Sequence, residues 1–307
     1  MADVDGFLNL HKPPGPTSFA MVAKVRRWSR ARRVGHAGTL DPLASGVLPL
    51  LLGRATRLAP YLLELPKVYR AEVRLGQATT TYDAQGQVTW EGDPSTVDEA
   101  RLREALDRFQ GEVEQTPPLY SALKVAGRPA YLYARAGQPL ALPSRRVRID
   151  RLQLLEFQPP LVRLEIECSR GTYIRSLAHD LGLALGCGAH LTSLVRLRLG
   201  PFTLEQAASP EEVQEAFASG AWPRLLLPLD FGLSHLPAVH LTPEQAEAAR
   251  HGRLLPGNSL PSADADRLRA YGPDGALLAI LHREGPGWRP RTVLAPARPS
   301  PPSTGEG

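Results

Sequence analysis

Apolar and polar residues alternate along several stretches of the chain with the period of two that is typical of strands. In residues 68–75 the charged side chains occupy one face, and the other face carries Tyr69, Ala71, Val73 and Leu75. Such alternation indicates a half-buried antiparallel strand. The same criterion predicts further strands over residues 6–10, 145–157, 161–168 and 191–199.

Helical spacing of apolar residues occurs in three segments between these strands. We expect Ser18 to cap a helix that runs to about residue 28, with Phe19 on its buried face. A capping box at residues 96–99 predicts the start of a second helix. The third helix, over residues 172–185, buries a stripe that consists of Ile174, Leu177, Ala178, Leu181 and Leu185.

Strands outnumber helices and are joined by hairpins, so the pattern favours an α+β fold with a mixed, mostly antiparallel sheet. The periodicity weakens and prolines recur over residues 223–237, where we place a linker. Residues 1–228 are then predicted to form the main domain. Residues 229–294 form a small β-rich module with a capping box at 242–245, and the Pro/Ser/Gly-rich residues 295–307 a disordered tail.

Charge adds one specific signal to this picture. The chain of 307 residues carries a formal net charge of +5, but it has only four lysines against many arginines, so its basicity partly reflects composition. Clustering is better evidence, and five of the eight residues 26–33 are arginine. A cationic run of this kind is a place where phosphates bind.

Compartment and cofactor signals are weak or missing. Cys168 and Cys187 match no zinc-binding spacing and form no disulfide framework, which favours a reducing, cytoplasmic setting. The N-terminus has no signal-peptide pattern, and the apolar run 46–52 is too short to cross a bilayer. The sequence contains no phosphate-binding P-loop, dinucleotide-binding loop or metal-ligand cluster, so a reaction without cofactor or metal is favoured.

A glycine-punctuated loop follows the arginine cluster and carries GHAGTLDPLASG at residues 35–46. Asp41 precedes a proline, which restricts it to an extended conformation. A lone carboxylate on such a loop is a candidate for chemistry. From the residues alone, Asp41 as a loop cap and His36 as an ordinary surface histidine remain equally open.

Two further segments contain candidate residues. Tyr173 and Arg175 fall at a strand end and helix start, where anionic ligands commonly bind, and an arginine there could hold a carboxylate bidentately. A solvated Arg175 beside a core tyrosine is the alternative. Residues 116–128 form a proline-braced loop with a tyrosine, a serine and a rare lysine, which is either functional or an ordinary surface loop.

Six motifs in order resemble those of bacterial TruB-type tRNA pseudouridine synthases, which isomerise the uridine at position 55 of the T arm. They are GFLNLHKPPG (6–15), GHAGTLDPLASG (35–46), KVYR (67–70), PPLYSALKVAG (117–127), GTYIR (171–175) and GCGAHL (186–191). The C-terminal module resembles a PUA-type RNA-binding domain in position and size. The resemblance implies a catalytic domain of the pseudouridine synthase type.

The resemblance also implies roles for individual residues. Asp41 would be the nucleophile that attacks the target uridine, Arg175 would pair with it, and Tyr69 would stack on the base and handle a proton. Tyr173 and Leu194 would line the uracil pocket.

The remaining roles concern the RNA around the target and the loop itself. His36 would help to hold the RNA open. Lys12, grouped with the substrate-binding residues, would brace the loop together with Pro13. Arg32 and Arg33 in the arginine cluster would contact phosphates.

Two alternatives stay open beside this interpretation. One is a guide-RNA-dependent pseudouridine synthase, which shares the catalytic loop and a PUA domain. The other is a non-catalytic module that binds tRNA or helps RNA to fold, although pure phosphate binding gives no reason for Asp41, because like charges repel. The leading hypothesis expects a cytoplasmic monomer whose partner is the T-arm stem-loop of tRNA, without membrane or metal.

Overall fold

The computed structural model describes residues 4–121, 123–125, 127–138, 140–257, 260 and 265–294. The predicted tail, residues 295–307, lies outside this range. Seven α-helices are described: α1 Ser18–Ser29, α2 Ala59–Leu63, α3 Glu99–Asp107, α4 Ala130–Arg135, α5 Ile174–Leu185, α6 Pro210–Ser219 and α7 Pro243–Arg250.

The first fourteen strands belong to the larger part of the molecule. They are β1 Gly6–Lys12, β2 Val34–His36, β3 Ser45–Leu52, β4 Lys67–Leu75, β5 Gln77–Thr79, β6 Val88–Glu91, β7 Gly111–Gln115, β8 Lys124–Val125, β9 Arg128–Pro129, β10 Arg145–Gln158, β11 Leu161–Cys168, β12 Ala189–Leu199, β13 Phe202–Thr203 and β14 Leu226–Leu227. Ten of them form one sheet in the order β14-β1-β3-β12-β4-β11-β10-β7, with β2 beside β3 and β13 beside β12.

Neighbours in this sheet are antiparallel except for β3 and β12, which run parallel. The predicted α+β class with a mixed, mostly antiparallel sheet is therefore confirmed. The alternation predicted for residues 68–75 is confirmed too, because Tyr69, Ala71, Val73 and Leu75 are all buried.

Two hydrophobic layers cover the sheet. On one face α1, α3, α5 and α6 pack over the strands, and the five residues of the predicted α5 stripe are all buried there. On the other face, Phe7 and Leu51 share a second cluster with residues of the C-terminal module. Strands β1 and β3 are thus covered on both sides, which explains why residues 46–52 are continuously apolar.

The C-terminal module is a five-stranded sheet in the order β15-β17-β18-β19-β16. Its strands are β15 Ala238–His240, β16 Leu255–Pro256, β17 Arg267–Tyr271, β18 Leu277–Glu284 and β19 Gly287–Val293. The predicted capping box at Thr242 is present at the start of α7. The predicted linker is a packed connection, because β14 pairs with β1 and Leu233 is fully buried.

Four local predictions were wrong. Phe19 is 74% exposed, because the buried face of α1 follows Ser18, Met21, Val22 and Val25. The cap of α1 is Thr17, whose hydroxyl accepts from the Ala20 amide at 3.0 Å, while the Ser18 hydroxyl bonds to a distant loop.

The capping box at residues 96–99 is absent as well. Asp98 caps α3 by accepting from the Arg101 amide at 2.8 Å, and Thr96 belongs to the preceding turn. The helix α5 begins at Ile174, two residues later than expected, because Tyr173 is its extended N-cap residue.

Candidate active site

A cleft of about 640 Å³ opens over the main sheet. The loop between β2 and β3 forms one wall, strands β4 and β12 form the floor, and the start of α5 forms the opposite wall. Six candidate residues or neighbours line it: Asp41, Lys67, Tyr69, Tyr173, Arg175 and Leu194. The fold therefore brings together residues that are far apart in the chain.

Asp41 and Arg175 face each other in this cleft. The Arg175 Nη2 donates to Asp41 Oδ1 at 3.2 Å, and its Nε lies 2.9 Å from Oδ2 as an ion pair that is not aligned for a hydrogen bond. The Asp41 side chain is 36% exposed, whereas Arg175 is 5% exposed. A buried cation thus holds a carboxylate that is itself partly exposed in the cleft.

Arg175 is itself fixed by several acceptors. Its Nη1 donates to the Thr81 carbonyl at 3.1 Å, and its Nη2 also donates to the Tyr120 carbonyl at 3.0 Å. A second carboxylate, that of Asp83, lies 3.7 Å from Nη1 and is 6% exposed. These contacts orient the guanidinium so that one edge faces Asp41.

The loop that carries Asp41 is anchored from below by Lys12. This side chain is fully buried, and its Nζ donates to the carbonyls of Pro13, Pro42 and Ala44 at 2.9, 3.4 and 2.6 Å. Burial lowers the pKa of Lys12 to about 8, against the opposing effect of Asp41. Lys12 cannot touch a substrate, so its contacts are those of a residue that braces the loop.

Helix α1 holds the same loop from the side. The Ser18 hydroxyl accepts from the Leu40 amide at 2.8 Å and donates to the Leu40 carbonyl at 2.9 Å. Asp41 is the next residue, so its backbone position depends on the start of α1. This bond explains why Ser18 is not available as the helix cap.

Two glycines make room for a buried arginine beside the loop. Arg196 donates from Nε to the Val47 carbonyl at 2.7 Å and from Nη2 to the Gly38 carbonyl at 2.9 Å. Gly38 has φ +82°, and a Cβ on Gly46 would lie 2.3 Å from the Arg196 carbonyl oxygen. Neither position admits a side chain without strain or clash.

The floor and far wall of the cleft are aromatic. Tyr69 lies on β4 and is buried, and burial raises its pKa above the ordinary value while the charge of Arg196 opposes that rise. Tyr173 is held by Gln115, whose side chain accepts from its amide and donates to its carbonyl, and the Arg145 guanidinium lies 4.7 Å from the ring centre. Leu194 completes this surface.

Four predicted residues do not line the cleft, and one of them, Lys12, is buried beneath the loop that carries Asp41. His36 pairs with Leu50 on β3, beside the cleft. Its pKa is lowered mainly by burial and, to a smaller extent, by the charge of Arg196. Its Nδ1 is buried and has no hydrogen-bond partner in the described structure. Arg32 and Arg33 lie at the other end of β2, in a separate depression.

Sequence reasoning did not select four polar residues that build the site: Lys67, Asp83, Gln115 and Arg196. Gln115 and Arg196 belong to no motif of their own. Only the structure reveals them, because these polar residues are 3% and 1% exposed. Lys67 offered a signal, since lysine is rare in this chain. It is buried in the floor, its Nζ donates to the Leu63 and Leu65 carbonyls, and burial lowers its pKa to about 8.

The arrangement places a carboxylate, its buried counter-ion and an aromatic surface in one cleft. Among the described residues, no three His, Cys, Asp or Glu side chains are grouped to hold a metal ion. In the same part of the chain, no helix has the length and apolar character needed to cross a membrane. Both cysteines are free and buried.

Family models cover nearly the whole chain. Residues 26–174 match the TruB family pseudouridylate synthase N-terminal domain, and residues 175–234 match the tRNA pseudouridylate synthase B C-terminal domain. Residues 236–295 match the C-terminal domain of tRNA pseudouridine synthase II. These matches include the loop with Asp41 and the segment with Arg175.

Curated relatives are similar over most of their length. The chain is 46% identical to tRNA pseudouridine synthase B of Thiobacillus denitrificans, over 95% of this chain and 96% of the relative. It is also 46% identical to tRNA pseudouridine synthase B of Pseudomonas aeruginosa, over 84% and 86%. A chain from an H/ACA RNP bound to a substrate RNA containing 2'-deoxyuridine superposes with a TM-score of 0.73 at 26% identity, covering 95% and 86%.

Proposed function

This chain belongs to the TruB family of pseudouridylate synthases, and we propose that it isomerises the uridine at position 55 of the tRNA T arm with Asp41 as the nucleophile. Its activity as a tRNA pseudouridine synthase follows from the family and from relatives at 46% identity. The observation that supports the assignment of Asp41 is its pairing with buried Arg175 inside a cleft that contains Tyr69. The higher identity to the tRNA enzymes than to the H/ACA RNP chain favours a guide-independent reaction.

The target base must leave the T loop before Asp41 can reach it. Flipping a base out of its stack costs a few kcal/mol. Stacking on the buried ring of Tyr69 would return about 1–3 kcal/mol of that cost. Tyr173 and Leu194 line the same cleft and would confine the base. His36, on β2 beside the cleft, would help to hold the opened RNA.

The reaction is an isomerisation, so no group and no electron is transferred to or from a second substrate. Asp41 attacks the target uridine, the bond between N1 and C1' breaks, and the detached base rotates within the cleft. A bond then forms between C5 and C1', C5 loses its proton, N1 gains one, and Asp41 is released. We assign the handling of the C5 proton to Tyr69.

Arg175 keeps Asp41 in position through this sequence. The carbonyls of Thr81 and Tyr120, which accept from its Nη1 and Nη2, hold the buried guanidinium in the orientation that faces Asp41. The loop braced by Lys12 adds the second constraint. Preorganisation of this kind lowers the barrier because the reacting groups need little reorientation.

The finer organisation is part of the same proposal. We assign catalysis to residues 1–228 and additional RNA contact to the module at 229–294, in a monomer that works in the cytoplasm. The T-arm stem-loop supplies the fold that presents the uridine.

Mapping of pseudouridine by mass spectrometry tests the proposal. A T-arm stem-loop RNA is incubated with the purified protein alone, and one pseudouridine at the position equivalent to 55 is expected. Asp41→Asn should bind the same RNA within about threefold but turn over at least about 10⁴-fold more slowly, because it lacks the nucleophile.

The alternatives predict different results in the same assay. Product that forms only after addition of a guide RNA would indicate the guide-dependent class. Binding of the stem-loop by the wild-type protein without any product would indicate a non-catalytic module. Undiminished turnover by Asp41→Asn would refute the assignment of Asp41.

A further inference from the structure

A second concave site, separate from the catalytic cleft, lies at the end of α1. We call it the arginine depression; it has a volume of about 490 Å³, and its cationic lining consists of Arg30, Arg32, Arg33, Arg54 and Arg57. Trp222 forms one wall and stacks on Phe217 at an interplanar angle of 16°. Among the described residues, Asp5 is the only acid in the lining.

The charges of this depression are largely unpaired. Within the described part of the chain, the one ion pair in its lining joins Arg54 to Asp5 at 2.7 Å, and Arg57 donates to the Val293 carbonyl. Arg30, Arg32 and Arg33 are exposed. Several surface arginines outside the depression pair with acids: Arg103 with Glu99, Arg108 with Glu104 and Arg163 with Glu72 and Glu156. The depression therefore concentrates positive charge that the protein does not neutralise.

Arg30 is also held in a costly conformation. It is the C-cap residue of α1 and has φ +53°, in the left-handed region. Glycine is the usual residue at such a helix end, because a side chain is strained there. The side chain of Arg30 is therefore not explained by the fold, and it points to a function of its charge.

The depression and the catalytic loop lie at opposite ends of β3. Asp41 precedes the first residue of this strand, Ser45, while Gly53 of the depression follows its last residue, Leu52. Eight strand residues span roughly 25 Å. An RNA segment bound in the depression is therefore several nucleotides away from a base in the cleft.

We propose that the arginine depression is a second RNA-binding site, which holds phosphates of the tRNA body outside the T-arm stem-loop. The inference rests on the proposed function, since it takes tRNA as the substrate. Guanidinium groups without acidic partners suit phosphate oxygens, and the fixed tryptophan wall limits how the backbone can pass. Its contribution is to affinity and to the choice of a complete tRNA, without contact to the reacting base.

Binding of full-length tRNA and of the isolated T-arm stem-loop separates this site from the cleft. In Arg30→Gly, the Kd for full-length tRNA should rise about fivefold, and the slope of log Kd against log salt should become smaller by about one. The Kd for the stem-loop and the kcat at saturating RNA should stay unchanged. The Tm should equal or exceed that of the wild type, because glycine relieves the left-handed backbone.

Two variants control for charge and position. Arg30→Lys keeps the cation and should keep the wild-type salt slope. Arg108→Gly removes one exposed arginine from the C-cap of α3, outside the depression, and should leave both Kd values unchanged. An unchanged Kd for full-length tRNA in Arg30→Gly, or an equal rise for the stem-loop, would overturn the proposal. Failure of the proposed function would be recognised separately, as absence of pseudouridine with the wild-type protein.

Discussion

Arg175 and the arginines of the depression place the same side chain in opposite surroundings. Arg175 is 5% exposed, faces two carboxylates and donates to two backbone carbonyls. Arg30, Arg32 and Arg33 are exposed at the protein surface and belong to a lining that contains one acid. The first arrangement fixes the guanidinium relative to the Asp41 carboxylate. The second leaves positive charge exposed, where an anion can approach in several geometries.

Under the proposed function, the same residue type positions a reacting group in one place and adds affinity for RNA in the other. A buried guanidinium that pairs with a carboxylate cannot reorient without leaving that carboxylate unpaired, which is strongly unfavourable. An exposed arginine gains little from any one geometry, and its interaction with phosphates is screened by salt. Salt should therefore weaken tRNA binding much more than the rate of the bound complex.

Arg175→Lys tests the fixed side of this comparison and has the largest expected effect. Lysine keeps the charge but cannot present two nitrogens to Asp41 while it also reaches the carbonyls of Thr81 and Tyr120. We expect kcat to fall about 100-fold, with the Kd for tRNA little changed, because Asp41 loses its position. Single-turnover kinetics with saturating RNA would measure this loss.

Arg170→Lys provides the matched control. Arg170 lines the same cleft, but its side chain is 69% exposed and pairs with Glu64 on the surface. Its kcat should stay within about threefold of the wild type. An equal loss of kcat in the two variants would show that the two-nitrogen contact of Arg175 with Asp41 has no special role.

Tyr69 tests whether the cleft holds its ligand by stacking, in contrast to the charge-based depression. Tyr69→Ala removes the ring and should raise the Kd for the T-arm stem-loop about tenfold, within the usual range for a lost base stack. Tyr69→Phe keeps the ring and should bind like the wild type, while its turnover reports on the hydroxyl. Filter binding at two salt concentrations would measure both variants, and an equal Kd in Ala and Phe would argue against stacking.

The smallest effect concerns the buried ammonium of Lys12. Its pKa is about 8 because of burial, so its charged form, which donates to three carbonyls, is lost as pH rises above that value. We expect kcat to fall about threefold between pH 7.5 and 9, as the neutral amine has only two N–H groups. The same shift makes this group's contribution to stability rise over the window from 8 to 10.5, because the unfolded state then binds more protons.

Carbon NMR of the lysine side chains would check the pKa directly. The chain has only four lysines, so Lys24 and Lys124, which are exposed, serve as reference signals. Lys12→Gln would assign the signal and distinguish it from that of Lys67. A Lys12 signal that titrates near 10.5 would contradict the role of burial.

Much of the fold could be predicted from local patterns. The strand over residues 68–75, the apolar stripe of α5 and the capping box at Thr242 all agree with the structure, because each depends on neighbours within a few residues. Phe19 and Ser18 were predicted wrongly for the opposite reason. The buried face of α1 and the bond from Ser18 to Leu40 depend on what packs against the helix.

The sequence by itself determined the class of fold, the family and the candidate pair Asp41 and Arg175, since these rest on patterns and motifs that can be recognised in the chain. The tertiary structure alone decided that this pair, 134 residues apart, is in contact, while Arg32 and Arg33 lie in a separate depression. It also revealed Arg196, whose bonds to Gly38 and Val47 span about 150 residues. Distance between such groups depends on the order of strands in the sheet, and strand order is a property of the packed chain as a whole.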